Sequence, residues 1–278
     1  MLSVVDYTAD NAAEEFVKSL HETGFGVLKN HPIDKAMLES IYENWAGFFA
    51  SERKDDFHFN VETQDGFFPA SVSETAKGFS QKDLKEYYHY YPWGQCPEAL
   101  KQQAQDYFEQ ANSVAETLLK WVEEYSPKDV AAKYSMPLSS MIESSEQTLL
   151  RVLHYPPITG EEEVGAIRAA AHGDINLLTI LPAANASGLQ VKLKSGEWYD
   201  VPGDFGCIIV NIGDMLQEAS GGYFPSTIHR VVNPEGEDKT KSRISLPLFL
   251  HARPDVVLSE RYTAKEYLQE RLRELGVK

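Results

Sequence analysis

The sequence predicts a mainly β protein, a sandwich or barrel of short strands, with a helical N-terminal region packed against it. Three observations carry that expectation. From about residue 147 onward, short apolar or alternating segments follow one another, separated by turn signals such as SG, PGD, GG and NPEGED. Before that point, several segments carry apolar residues at three-and-four spacing instead. Finally, 42% hydrophobic residues in a chain of 278 suffice to bury a sizeable core.

Taken in order, residues 10–23 place Phe16, Val17 and Leu20 on one face of a short helix, and GFGVLKNH (24–31) reads as a strand. Asp34 is a suitable N-cap for a helix carrying Met37, Leu38, Ile41, Tyr42, Trp45, Phe48 and Phe49. A polar, glycine-containing stretch (60–82) precedes the aromatic run KEYYHYYPW (85–93), which reads as a strand entering a turn. A long helix is expected over about 98–124, its stripe running through Leu100, Tyr107, Phe108, Ala111, Ala115, Leu118, Leu119 and Val122. The β-rich half supplies TLLRVLHY, LLTILPA, LQVKL, EWYDV, CIIVNIG, HRVVN and RISLPLFLHA, and 263–275 returns to an amphipathic helix. No repeat, low-complexity tract or linker interrupts the chain.

Composition excludes several classes. With 42 acidic against 26 basic residues the formal charge is −16, which repels phosphate backbones and anionic lipid surfaces. Neither nucleic acid nor membrane is the expected partner. Cys96 and Cys207 are too few for a disulfide scaffold and fit a reducing compartment. The N-terminus has no basic start followed by a long apolar run, and nothing approaches the roughly 18 apolar residues of a spanning helix. A soluble, cytoplasmic protein is expected.

The chemistry concentrates in the second half. In an extended His172-Gly173-Asp174 segment, the imidazole and the carboxylate leave the strand on one face. His229, in STIHRVVN, can supply a third ligand. Two histidines and one carboxylate that leave the other coordination positions open describe a non-haem Fe(II) oxygenase site. Arg243 and Ser245, two apart in SRISLPLF, form a fork and a hydroxyl suited to a carboxylate. Tyr155, at the end of a strand before Pro156, can donate to the same group.

The segments AHGDINLLTILP, SGLQVKLKSGEWYDVPG, VNIGDMLQEASGGYFPSTIHRVVNP and RISLPLF closely resemble the isopenicillin N synthase-like branch of the iron/2-oxoglutarate-dependent dioxygenases, including its bacterial iron/ascorbate oxidoreductases. The resemblance is dense over about 147–258, and GFGVLKNHPID resembles the family's helical N-terminal part. It implies a double-stranded β-helix (a jelly roll, cupin-like), divided into a helical region (1–125) and an Fe(II)-binding jelly-roll domain (126–278) that form one structural unit. It further implies His172, Asp174 and His229 as iron ligands, catalytic for that reason, with Arg243, Ser245 and Tyr155 holding the distal carboxylate of 2-oxoglutarate. The implied reaction couples decarboxylation of 2-oxoglutarate to hydroxylation, desaturation or ring closure of a small organic substrate. Two departures stand out: Leu153 occupies a position where many plant members have Asn, and Gly173 one where Thr is common.

Alternation assigns candidate substrate contacts. Arg151 shares a face with Tyr155, and Phe249 and His251 share one with Arg243 and Ser245; Asn176, two beyond Asp174, is expected on the metal side. An inward Arg151 suggests an anionic substrate, with a structural salt bridge as the alternative. Tyr87, His89 and Tyr91 are expected to form a wall of the cleft or part of the core. Three other readings stay open. One is a jelly-roll metal hydrolase or isomerase with the same ligands and another metal, which would leave Arg243 and Ser245 without a task. Another is a family oxidase that uses the substrate's own carboxylate, or ascorbate, in place of 2-oxoglutarate; the third is a catalytically silent metal-binding barrel.

Overall fold

The computed structural model describes residues 2–72, 83–163, 165–183 and 188–274. The strands are β1 (Val4–Asp6), β2 (Phe25–Lys29), β3 (Gly66–Phe68), β4 (Glu86–Tyr90), β5 (Leu149–Tyr155), β6 (Ala169–His172), β7 (Leu178–Pro182), β8 (Leu189–Lys192), β9 (Trp198–Asp200), β10 (Ile208–Ile212), β11 (His229–Val231), β12 (Arg243–Ser245) and β13 (Leu248–Leu250). They form two facing layers. The major sheet runs β1-β2-β10-β7-β13-β5-β4-β3, with β12 also on β5; the minor sheet runs β6-β11-β8-β9. The jelly roll is therefore an open pair of sheets, not a closed barrel.

Three long helices back the major sheet. Helix α1 (Ala12–Thr23) buries Phe16, Val17 and Leu20. Helix α2 (Lys35–Ala50) starts where expected, because the Asp34 carboxylate accepts from the amides of Ala36 at 2.8 Å and Met37 at 3.3 Å. Helix α3 (Glu98–Glu124) has the predicted bounds, and its Tyr107 hydroxyl donates to the Leu246 carbonyl at 2.8 Å. That bond pins the helix to the link between β12 and β13. The amphipathic C-terminal helix spans Ala264–Glu274; Leu275 of the expected range lies outside the described residues.

Strand β5 shows how one sequence serves two environments. Leu150 and Val152 enter the core shared with the helices, while Leu153 and Tyr155 join an aromatic cluster on the opposite face. The helices thus close one side of the major sheet, and the other side packs on the minor sheet through Phe25, Val27, Ile209 and Val191.

One expectation gains detail and another needs correction. The helical N-terminal region also supplies four strands of the major sheet, and two of them, β2 and β4, lie in the segments expected as strands. β2 pairs with β10 and β4 with β5, both antiparallel. The physical reason is that GFGVLK and EYYHY are apolar or aromatic runs that complete a sheet more readily than they could stand alone. Within the stretch read as polar, GFF forms β3 beside β4; residues 73–82 of that stretch lie outside the described residues. The run RISLPLFLHA is two strands, because Pro247 has no N–H for the ladder. Arg243 opposes Tyr155, Ser245 opposes Leu153 and Leu248 opposes Leu150, so the register and the face are kept across the break.

Candidate metal centre

The minor sheet brings the two candidate histidines together. His229 on β11 is the cross-strand partner of His172 on β6, with ring centroids 4.5 Å apart. Asp174 lies just beyond β6, so strand alternation does not aim it. Its main-chain carbonyl instead accepts from the Asp214 amide at 2.8 Å, which turns the chain and swings the carboxylate under the rings. Asp174 Oδ1 then lies 3.7 Å from His229 Nε2 and 4.0 Å from His172 Nε2. One donor atom from each residue falls within 4.8 Å of the other two, close enough to hold a single ion.

Every other polar atom of the three side chains has a partner. His172 Nδ1 is 2.7 Å from the Ala170 carbonyl, and His229 Nδ1 is 3.1 Å from that of Thr227. A carbonyl only accepts, so each Nδ1 carries the proton and each Nε2 presents its lone pair to the centre. Asp174 Oδ2 accepts from Thr179 Oγ1 at 2.6 Å and Asn211 Nδ2 at 2.8 Å, which leaves Oδ1 as the free donor. Burial by itself would raise the Asp174 carboxyl, but His229, His172 and these two hydrogen bonds hold it below the ordinary carboxylate value. Burial and the neighbouring His229 push the His172 imidazole toward neutrality. Asp174 is thus held toward its carboxylate form and His172 toward neutral imidazole, the forms that ligate a divalent cation. Both histidines come from adjacent strands of the minor sheet, so they occupy one side of the site.

The candidate carboxylate receptor lies on the facing layer. Arg243 and Ser245 of β12 are 6% and 4% exposed, and Arg243 is the cross-strand partner of Tyr155. The Arg243 guanidinium carbon is 5.9 Å from the centroid of the Tyr155 ring. Burial raises the Tyr155 phenol above its ordinary value, against the pull of Lys85 and Arg243, so it stays protonated and able to donate. Leu153, opposite Ser245, adds no polar group there.

Among the candidate substrate residues, Arg151, Phe249 and His251 are placed together. Arg151 Nε donates to His89 Nε2 at 2.9 Å, and His89 Nδ1 faces the Gln64 carbonyl at 2.8 Å. The guanidinium carbon lies 4.9 Å from the Tyr87 ring centroid and 5.5 Å from that of Phe249. Tyr87 and His89 therefore form a wall beside Arg151. Burial lowers the His251 imidazole to about 4, with Arg151 adding to the effect.

Asn176 is a correction. It is 1% exposed, and its Nδ2 donates to the Leu178 carbonyl and to Thr179 Oγ1. Its Oδ1 and carbonyl pack so closely on Gly213 that a Cβ there would stand 2.3 and 2.0 Å from them. It braces the turn behind Asp174 instead, because the alternation assumed for it ends with β6 at His172.

Sequence reasoning missed Thr179, Asn211 and the buried pair Asp83–Lys85. Asp83 Oδ1 accepts from the Ala170 amide at 2.9 Å and its Oδ2 binds Lys85 Nζ at 2.8 Å, which covers the edge of β6. A signal existed for the first two: each is a polar residue inside an otherwise apolar strand run, LLTILPA and CIIVNIG.

Two sheets with a His-Asp-His set that leaves coordination positions open fit the class of non-haem metal oxygenases. Comparisons with known proteins narrow it. Residues 146–252 match the 2OG-Fe(II) oxygenase superfamily, and residues 2–115 match the N-terminal region described as non-haem dioxygenase in morphine synthesis. The crystal structure of a candidate oxygenase from Shewanella oneidensis is 65% identical, with a TM-score of 0.92, and the match covers 100% of this chain and 99% of that one. A candidate 2OG-Fe(II) oxygenase family protein from Caulobacter crescentus is 29% identical, with a TM-score of 0.81 and 99% of each chain covered. The 2-oxoglutarate-dependent dioxygenase 11 of Oryza sativa subsp. japonica is 29% identical over 248 residues, which make up 85% of this chain and 65% of the rice protein. This chain belongs to the 2OG-Fe(II) oxygenase superfamily, whose members use Fe(II) and 2-oxoglutarate.

Proposed function

We propose that the protein is an Fe(II)- and 2-oxoglutarate-dependent oxygenase acting on a small organic substrate. His172, Asp174 and His229 hold the metal, and Arg243, Ser245 and Tyr155 receive the distal carboxylate of the co-substrate. The observation that carries this reading is the pairing of every second polar atom in the ligand set: Nδ1 of both histidines and Oδ2 of Asp174 are occupied, which aims Nε2, Nε2 and Oδ1 at one point. The donor types fit a non-haem iron with free coordination positions.

Bound Fe(II) and 2-oxoglutarate together supply the activation of dioxygen needed to oxidise an unactivated C–H bond. The protein's own task is positional. The Ala170 and Thr227 carbonyls fix the tautomers, Thr179 and Asn211 fix the carboxylate, and Tyr87, His89 and Phe249 form an aromatic wall around Arg151. Arg151, Phe249 and His251 stand where a substrate would lie against that wall. The outcome at carbon (hydroxylation, desaturation or ring closure) belongs to the substrate's geometry. Small molecules and dioxygen are the partners this site suits, and among the described residues no helix is long and apolar enough to cross a membrane.

Anaerobic addition of Fe(II) and 2-oxoglutarate is expected to produce the weak visible charge-transfer band of the chelate, absent in His172→Ala. Succinate release coupled to substrate oxidation would then separate this activity from an oxidase that dispenses with 2-oxoglutarate or draws on ascorbate. A protein that binds Fe(II) but gives no band with 2-oxoglutarate overturns the proposal.

A further inference from the structure

A second arginine approaches the Tyr155 ring that Arg243 approaches. Arg168 immediately precedes β6 on the minor sheet, and its side chain is among the largest fully buried ones, at 1% exposure. Its guanidinium carbon lies 5.7 Å from the centroid of the Tyr155 ring, the ring that Arg243 approaches to 5.9 Å from the major sheet. Two guanidiniums from opposite layers therefore converge on one phenol. Arg243 itself reaches the minor sheet: a Cβ on Gly188, just before β8, would stand 3.8 Å from its Nη1.

The bonding of Arg168 is incomplete. Nη2 donates to the Lys241 carbonyl at 3.1 Å, while Nε is buried without a hydrogen-bond partner. Among the described residues it is in no ion pair. Asp238 is the acidic group whose charge it feels, and that carboxylate is bound by Lys241 Nζ at 2.9 Å. Burial, and then the charge of Arg243, both work against the protonated form of Arg168. A buried cation next to a like charge is destabilising unless an anion joins it. A guanidinium fork is matched to a carboxylate.

We propose that Arg168 is a second guanidinium of the co-substrate receptor. With Arg243 and Tyr155 it grips the distal carboxylate of 2-oxoglutarate from the minor-sheet side, and it makes the site selective for dicarboxylic oxo acids. The proposal rests on the oxygenase reading and goes beyond it in assigning Arg168. A purely structural role is the competing account, since the Arg168 amide donates to Asn233 Oδ1 at 3.0 Å and Nη2 holds the Lys241 carbonyl.

The test is an anaerobic titration of the Fe(II)-loaded protein with 2-oxoglutarate and, separately, with 2-oxopentanoate, which lacks the distal carboxylate. The charge-transfer band reports binding, and the melting temperature of the metal-free protein reports folding. Arg168→Met and Arg168→Gln, the latter keeping a donor for the Lys241 carbonyl, are expected to weaken 2-oxoglutarate by about tenfold or more, the scale of a lost charge-assisted hydrogen bond. They leave 2-oxopentanoate unchanged and do not lower the melting temperature. Wild-type affinity for 2-oxoglutarate in either folded variant overturns the proposal, as does equal weakening of both acids. A fall in melting temperature with affinity retained assigns Arg168 to structure alone. If the wild-type protein gives a band with neither acid, the oxygenase reading itself fails, and this proposal with it.

Discussion

Thr179 on β7 and Asn211 on β10 are cross-strand partners, and both side chains donate to one atom, Oδ2 of Asp174. The ladder of the major sheet thus orients a ligand whose two companions belong to the minor sheet. Removing one of these donors should be felt at the metal. Thr179→Val keeps the shape but loses the hydroxyl, and it is expected to weaken Fe(II) binding about 10- to 100-fold. Anaerobic equilibrium dialysis measures this, and unchanged affinity would show that the orientation of Asp174 does not depend on Thr179.

Arg243 belongs to β12 of the major sheet, whereas His172 and His229 belong to the minor sheet, so its effects should be confined to the co-substrate. Arg243→Met is expected to weaken 2-oxoglutarate by roughly 10- to 150-fold, the loss of a charge-assisted hydrogen bond in a buried site. Fe(II) affinity should stay at the wild-type value. A parallel loss of both would mean that Arg243 supports the fold of the site.

Arg151 sits between the Tyr87 and Phe249 rings with its Nε on His89. If it meets an anionic substrate, Arg151→Met raises KM for that substrate about tenfold or more while 2-oxoglutarate affinity is unaffected. Turnover assays with a carboxylate substrate and its amide provide the readout. Equal KM changes for the two would remove the anionic assignment.

His251 supplies a pH dependence. Its folded pKa is depressed to about 4, against an unfolded value of about 6.5. Between those values the unfolded chain binds the proton that the folded chain refuses, so stability rises with pH across the window. Acidifying the metal-free protein from about pH 6.5 toward 4 should therefore lower its stability, and His251→Gln should flatten that slope. Urea midpoints at pH 7 and pH 5 decide it. His172, depressed in the same direction, contributes to the slope that remains.

Much of the fold was legible because its signals are local. The Asp34 cap, the stripe of Glu98–Glu124 and the alternation of Leu149–Tyr155 each depend on neighbours a few residues away. The strands of the first 125 residues were harder to read in full. β3 is three residues long, and the run GFF has meaning only beside β4. At the site, His172, Asp174 and His229 could be proposed from residue type and order. Asn176 went astray because counting by twos requires an extended chain, and the chain turns after His172.

The sequence by itself determined which side chains could ligate a metal, which could receive a carboxylate, and where most helices and strands would lie. All of these follow from periodicity, capping and donor chemistry along a short stretch of backbone. Only the tertiary structure decided that β6 and β11 stand side by side, that Thr179 and Asn211 hold Asp174, and that Arg168 meets Arg243 over Tyr155. Those meetings join residues far apart in the chain, and they are set by how two sheets pair and face each other, a relation that no local pattern encodes.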